Sequence, residues 1–164
     1  MRGYDLFIEM CTELKEMGYN VKPVLAFDDF KEEELLKEYG NNTDFFEINH
    51  PKMNQIHELY YRSFLSYVPT RWSEGTSLSA VESMCCGCPV IGTYVGGIGN
   101  IILPGFNGDL CPSNVKSLVM VTKQYLDHPE LRNYMARNCS EMSYIFGNKK
   151  WREKLHFFLS DLVD

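Results

Sequence analysis

Two carboxylates, Glu74 and Glu82, stand with seven residues between them, and the segment they bracket opens with Gly75-Thr76-Ser77-Leu78. That tetrapeptide follows an extended run and leads into a helical one. A helix start leaves its first backbone N–H groups without partners at the positive end of the helix dipole. Gly75 lets a ligand come close to the backbone, so the segment has the makings of an anion site suited to a diphosphate. With Glu74 just ahead of the helix, Glu82 lies about two turns along it, roughly 10 Å down the axis. Two acceptors so placed could each take a pair of hydroxyls at opposite ends of an extended ligand. The blander account is an ordinary capped helix bearing a solvated Glu82, since a chain with 22 acidic residues produces such spacings by chance. Against it, Glu82 falls in a small and apolar stretch with Leu78, Ala80, Val81 and Met84, where a buried acid would need a partner.

Positioning these groups calls for a rigid frame, and the hydropathy pattern supplies one. Tyr4 to Met17 carries a helical stripe of Leu6, Phe7, Met10, Leu14 and Met17, stopped by Gly18. Val21 to Phe27 reads as a strand, with Pro23 at its start or on an edge. A helix over Lys31 to Tyr39, a strand over Thr43 to Ile48 and a helix over Asn54 to Arg62 follow. Phe64 to Val68 is the third strand, and the loop Thr70 to Gly75 leads to a helix from Ser77 to Cys86. Pro89 to Gly92 is the fourth strand. Gly96 to Leu103 is a glycine-rich turn, and Asn107-Gly108 is a tight turn into a strand over Asp109 to Cys111. Ser113 or Asn114 caps a helix to Asp127, Pro129 starts another to Tyr144, and Asn148 opens the last. Helices between short strands imply parallel βαβ units: an α/β fold with an open, doubly wound sheet, ligands meeting the strands' carboxyl ends. Such a fold normally opens with a strand, whereas this chain enters a helix almost at once, so its first strand is expected to be missing.

Composition narrows the partners. The chain has 164 residues, suited to one domain over 1–164, and a net charge of -6 argues against nucleic acid. No signal-peptide pattern or membrane-length apolar run occurs, and six cysteines without framework spacing suit a reducing cytoplasm. Cys85-Cys86-Gly87-Cys88 contains a C-x2-C, but His50, His57, His128 and His156 are scattered and offer no second ligand pair. Buried, unreactive cysteines are therefore expected, and no metal. Gly96-Gly97-Ile98-Gly99 lacks the long helix and distal acid of a dinucleotide fingerprint. Arg71 and Trp72, in the loop just before Glu74 and within reach of a sugar or phosphate, read as solvated loop residues in preference to ligand contacts. The last helix sets Trp151, Leu155, Phe158 and Leu162 on one face beside Lys149, Lys150, Arg152 and Lys154. Packing on the domain's own core is the favoured reading, docking on a partner domain or an anionic membrane surface the others.

Taken in order, Pro69, Glu74-Gly75, Leu78, Glu82, Met84, Gly87, Pro89-Val90, Val95-Gly96-Gly97, Ile101, Gly105 and Asn107-Gly108 resemble the pattern of glycosyltransferase family 4. Arg2-Gly3-Tyr4-Asp5-Leu6-Phe7-Ile8 is similar to that family's K-G-x-D-x-L-I helix start. The resemblance implies the donor-binding, C-terminal half of a retaining, metal-independent transferase of the GT-B fold, in the glycogen-synthase-like group. It assigns Glu74 to the donor sugar hydroxyls, the N–H groups of Gly75, Thr76, Ser77 and Leu78 to the sugar and distal phosphate, and Glu82 to the ribose. Arg2 stands where the family has a Lys facing the leaving diphosphate, with a planar fork in place of a point charge. Pro51, Lys52 and Met53 would lie near the base. The donor is then a nucleoside-diphosphate sugar with no further cofactor. A glycan or lipid-linked acceptor would be met through an N-terminal domain, in the cytoplasm, and this chain alone would lack activity. Two other classes stay open: a non-catalytic scaffold that keeps the fold, and a redox or metal protein built on Cys85 and Cys88.

Overall fold

The structure, a computed structural model, describes residues 3–26, 33, 37, 39, 45–52, 54–72 and 75–160, for Phe158 the backbone alone. The first helix, α1 (Tyr4–Glu16), buries Leu6, Ile8, Met10, Cys11 and Leu14 and carries Asp5 in its first turn. It closes where the Gly18 and Tyr19 N–H groups donate to the Lys15 and Leu14 carbonyls, at 2.9 and 3.0 Å. Two short strands follow, β1 (Val24–Ala26) and β2 (Glu47–Asn49), paired parallel with Val24 opposite Glu47. β1 is shorter than the expected Val21–Phe27, and Pro23 sits just ahead of it, its carbonyl accepting from the Glu47 N–H at 2.9 Å. β2 begins later than expected, with Thr43 and Asp44 outside the described residues. Of the helix expected over 31–39, only Glu33, Lys37 and Tyr39 are described, all helical.

Next come α2 (Ile56–Arg62), β3 (Ser66–Val68), α3 (Leu78–Cys85) and β4 (Val90–Thr93). A 3-10 turn (Gly96–Asn100) leads to β5 (Gly108–Cys111), α4 (Val115–Asp127) and α5 (Pro129–Met142). The expected extension of α5 to Tyr144 is instead a 3-10 turn, Ser143–Phe146, ahead of α6 (Asn148–Ser160). Asn114 caps α4, its side chain accepting from the Ser117 N–H at 2.9 Å, and Pro129 occupies the first turn of α5.

Strands β3, β4 and β5 form a parallel ladder in the order β3-β4-β5, Ser66 opposite Val90 and Val90 opposite Gly108. Side chains alternate faces along a strand. Ile91 and Cys111 therefore join the core under α1 and α4, with Leu6, Met10, Leu14, Leu118 and Tyr125. Val90 and Leu110 join the core under α3 and α5, with Ala80, Met84 and Cys139. β4 is buried along its whole length, as a central parallel strand must be. Helices thus cover both faces, as the doubly wound reading requires. Among the described residues, however, the strands form two ladders, β1-β2 being one of its own.

The last helix departs from its favoured reading. Trp151 is 62% and Leu155 40% exposed, and α6 packs chiefly on the 3-10 turn at its root rather than on the domain's core. Leu162 and the Phe158 side chain lie outside the described residues. Among the described residues no helix is long and apolar enough to cross a membrane.

Two tests follow from this packing. Met84 is 1% exposed, so Met84→Ala should cost about 2–5 kcal/mol in urea unfolding, whereas Leu78→Ala, at a side chain 71% exposed, should cost far less. The Glu47 carboxyl, held by Lys22, Asn49 and Arg62, is drawn down to about 2. A depressed folded pKa contributes stability above the unfolded value, lost as pH falls through the folded one. Glu47→Gln should therefore flatten the loss of thermal stability between about pH 4.5 and 2, as read from melting curves across that range.

Candidate functional site at the amino end of α3

The carboxyl ends of β3, β4 and β5 meet at one atom, the carbonyl oxygen of Thr70. It accepts from the Thr93 hydroxyl at the end of β4, at 2.5 Å, and from the Ser113 hydroxyl just beyond β5, at 3.2 Å. Both threonines are buried. The Thr70 hydroxyl in turn donates to the Trp72 carbonyl at 3.2 Å, shaping the loop that leads away from β3. Arg71 does not hang free in solvent, as its place in the loop suggested. Its guanidinium pairs with Asp5 Oδ2 in the first turn of α1, while Trp72 is exposed. Asp5 Oδ1 is buried and has no hydrogen-bond partner among the described residues.

This loop delivers the chain to α3. Ser77 occupies the N-cap in extended conformation, 2% exposed, and its side chain makes no capping hydrogen bond. Its hydroxyl instead pairs with that of Ser79, at 3.0 Å. Among the described residues no side chain caps the first-turn N–H groups of α3, which leaves them with the character that suits an anion. Gly75, Thr76 and Leu78 are exposed, Leu78 to 71%, so the segment presents its backbone to solvent.

Behind it stands the glycine-rich turn. A Cβ on Gly97 would come within 2.9 Å of the Gly75 carbonyl oxygen, so only a residue without a side chain lets the turn lie directly against the Gly75 peptide. Asn107 anchors the far end of the same turn. Fully buried, it accepts from the Leu103 N–H at 2.7 Å and donates to the Ile101 carbonyl at 3.0 Å. The Val95-Gly96-Gly97 and Asn107-Gly108 pieces thus serve as scaffold for the loop in front of them.

Glu82 is exposed, which corrects the expectation of a buried acid. The apolar neighbours that suggested burial sit on the other side of the helix: Ala80, Ser83 and Met84 face the core, while Leu78, Glu82 and Cys85, at helical spacing, face out. Glu82 also lies within the field of α2. Burial first, then the Glu82 carboxylate and the Cys86 and Cys88 thiols, push the Tyr60 hydroxyl up to about 12. Of the other residues singled out from sequence, Glu74, Arg2 and Met53 lie outside the described residues. The structure thus brings Gly75, Thr76, Ser77, Leu78 and Glu82 onto one helix end and its exposed face. Sequence reasoning missed the Asp5–Arg71 pair and the hydroxyls of Thr70, Thr93 and Ser113. A hydroxyl residue at or just beyond the end of each of three parallel strands was the available signal.

The C-x2-C takes no part in this arrangement. Cys88 is buried with its thiol against the Ser63 carbonyl at 3.7 Å, Cys85 is exposed, and burial raises both thiols. Among the described residues no group of three His, Cys, Asp or Glu side chains could hold a metal ion.

Comparison with known proteins places the fold. An uncharacterised glycosyltransferase of Methanocaldococcus jannaschii is 28% identical over 153 residues, which cover 91% of this chain and 42% of that protein. The chain therefore spans less than half the length of that relative. The Anabaena protein HepE, solved in complex with UDP-glucose, superposes with a TM-score of 0.78 at 20% identity, over 93% of this chain and 44% of its own. The C-terminal domain of a Francisella tularensis glycosyl transferase group 1 family protein, LpcC, gives 0.70 at 24% identity, over 90% of this chain and 80% of its own. Both structures share the fold. The family model for glycosyl transferases group 1 matches residues 1–142, and the chain belongs to that family.

Proposed function

We propose that this chain is the donor-binding part of a retaining, metal-independent glycosyltransferase of family 4, which moves a hexose-type sugar from a nucleoside diphosphate to a glycan or lipid-linked acceptor. The observation that carries the reading is the uncapped, exposed amino end of α3 at the strands' carboxyl ends, with Glu82 one turn further on the open face. A diphosphate would take the first-turn N–H groups, and the ribose hydroxyls would donate to Glu82. Glu74, adjacent to Gly75 in the chain, would accept from the donor sugar. Arg2, ahead of α1, would face the departing diphosphate, and Met53 the base. HepE, a protein of the same fold, binds UDP and UDP-glucose, which supports a nucleotide sugar as ligand here.

Retention follows from this reading as chemistry on one face of the sugar. The bond from the anomeric carbon to the diphosphate breaks, the acceptor oxygen bonds to that carbon on the same face, and the acceptor proton leaves with the diphosphate. Charge gathers on the diphosphate as the bond breaks, and fixed N–H dipoles with a guanidinium stabilise it without reorganising. Acceptor contacts would come from a second domain across a cleft, so this chain alone would bind donor weakly and transfer nothing. The whole enzyme would work in the cytoplasm.

Calorimetric titration with a panel of nucleoside diphosphates tests the assignment. Hydrogen bonds to a charged acceptor contribute about 1.5–3 kcal/mol, so Glu82→Ala should weaken the best binder roughly 10- to 100-fold. Cys88→Ala, at a thiol buried away from α3's amino end, should leave the affinity where it was. Equal losses from the two changes would refute the ribose assignment. Silence towards every diphosphate from a folded chain would favour a non-catalytic scaffold.

A further inference from the structure

Three consecutive residues at the exit of β3 are each held by a different part of the fold. A Cβ on Gly3 would stand 1.8 Å from the Pro69 carbonyl oxygen, so the bare backbone at the start of α1 lies directly against that peptide. The Thr70 carbonyl is held by the hydroxyls of Thr93 and Ser113. Arg71 is held by Asp5, in the first turn of α1.

The third of these contacts is a poor source of stability. The Asp5 side chain is 15% and that of Arg71 41% exposed. The guanidinium reaches Oδ2 alone, and Oδ1 is buried with no hydrogen-bond partner among the described residues. A buried charged acceptor left unsatisfied costs more than a partly exposed ion pair returns. Stability therefore does not account for an acid at this place, and an orphaned buried atom of this kind asks for another reason. What the pair does fix is a distance.

Arg71 stands in the loop that leads to the amino end of α3, and Asp5 in the first turn of α1, with Arg2 just ahead of that helix in the chain. On the donor-binding reading a diphosphate is met from both sides, by the first-turn N–H groups of α3 and by Arg2. The Asp5–Arg71 pair ties the two sides together.

We propose that Asp5 and Arg71 are positioning residues for the diphosphate: their ion pair sets the gap between the amino end of α3 and the start of α1, so that one diphosphate meets both. The inference rests on the donor-binding reading, and neither residue touches the ligand. The sign of one effect separates this role from its rivals. Asp5 is an acid near an anion site, so by charge alone its removal favours a diphosphate. The same sign follows if Arg71 is itself a phosphate ligand, since loss of the Asp5 charge frees its guanidinium. A positioning pair gives the opposite sign, because breaking it lets the gap relax.

The full chain and its variants are titrated calorimetrically with UDP, GDP, ADP and TDP, and the monophosphate matching the best binder is read by competition. Asp5→Asn and Arg71→Ala should each weaken the diphosphate about tenfold, and the double variant should lose no more than either alone. The monophosphate, which meets one side only, should change less than about twofold. Tighter or unchanged diphosphate binding by Asp5→Asn would overturn the proposal. So would equal losses of the two nucleotides, the mark of a pair that merely supports the fold. Should Asp5→Asn not fold, Asp5→Ser takes its place with the same expected sign. Silence of the unaltered chain towards all four diphosphates refutes the donor-binding reading and this inference with it, whereas the wrong sign in a chain that binds refutes this inference alone.

Discussion

The carbonyl oxygen of Thr70 holds the site together. Three parallel strands end at one level, and without cross-links their loops would diverge into solvent. Two buried or half-buried hydroxyls, from Thr93 and Ser113, converge on this one acceptor and tie the exits of β4 and β5 to that of β3. A hydrogen bond shielded from water is electrostatically stronger than an exposed one, and a carbonyl with two lone pairs is satisfied by two donors. With that point fixed, the start of the loop after β3 is held in place. Arg71 is drawn to Asp5, and the chain arrives at Ser77 with the end of α3 exposed. The Gly97 turn completes the arrangement from behind, lying against the Gly75 peptide. Rigidity comes from the scaffold and openness from the loop.

Much of this was legible in the sequence because strong local rules governed it. The apolar stripe of α1 as far as Leu14, the Asn114 cap, Pro129 at the start of α5 and the alternation of helix with strand all follow from periodicity and capping, and the structure bears them out, whereas Met17 falls past the helix and is exposed. Even the amino end of α3 could be placed within a residue, since Gly75 to Ser77 lies between an extended and a helical run. What failed depended on three dimensions. Glu82 has apolar neighbours in sequence, but a helix distributes neighbours around its axis, and those of Glu82 point the other way. Linear context cannot separate a core-facing from an outward-facing position without a longer stripe, and an eight-residue helix is too short to show one.

The other misreadings concern tertiary contact. Trp151 and Leu155 have the spacing of a core-facing stripe, but a stripe says only that a face is apolar, not what covers it. The Asp5–Arg71 pair spans 66 positions, and no local signal announces such a partner.

An exposed binding edge has an energetic consequence. Ligand sites that bind small molecules tightly bury most of the ligand's surface. Here Gly75, Thr76, Leu78 and Glu82 all face open solvent, so a diphosphate on α3 would remain wet on its far side. Charge–dipole interactions in high dielectric are a fraction of those in an enclosed site, and fixed donors act most strongly on developing charge when water is excluded. On the proposed reading, the same geometry that admits a nucleotide sugar leaves its reactive bond unscreened from water. Binding and catalysis then make different demands on this chain. On that reading the exposed amino end of α3 suits the first, and the second would take a surface that closes over it.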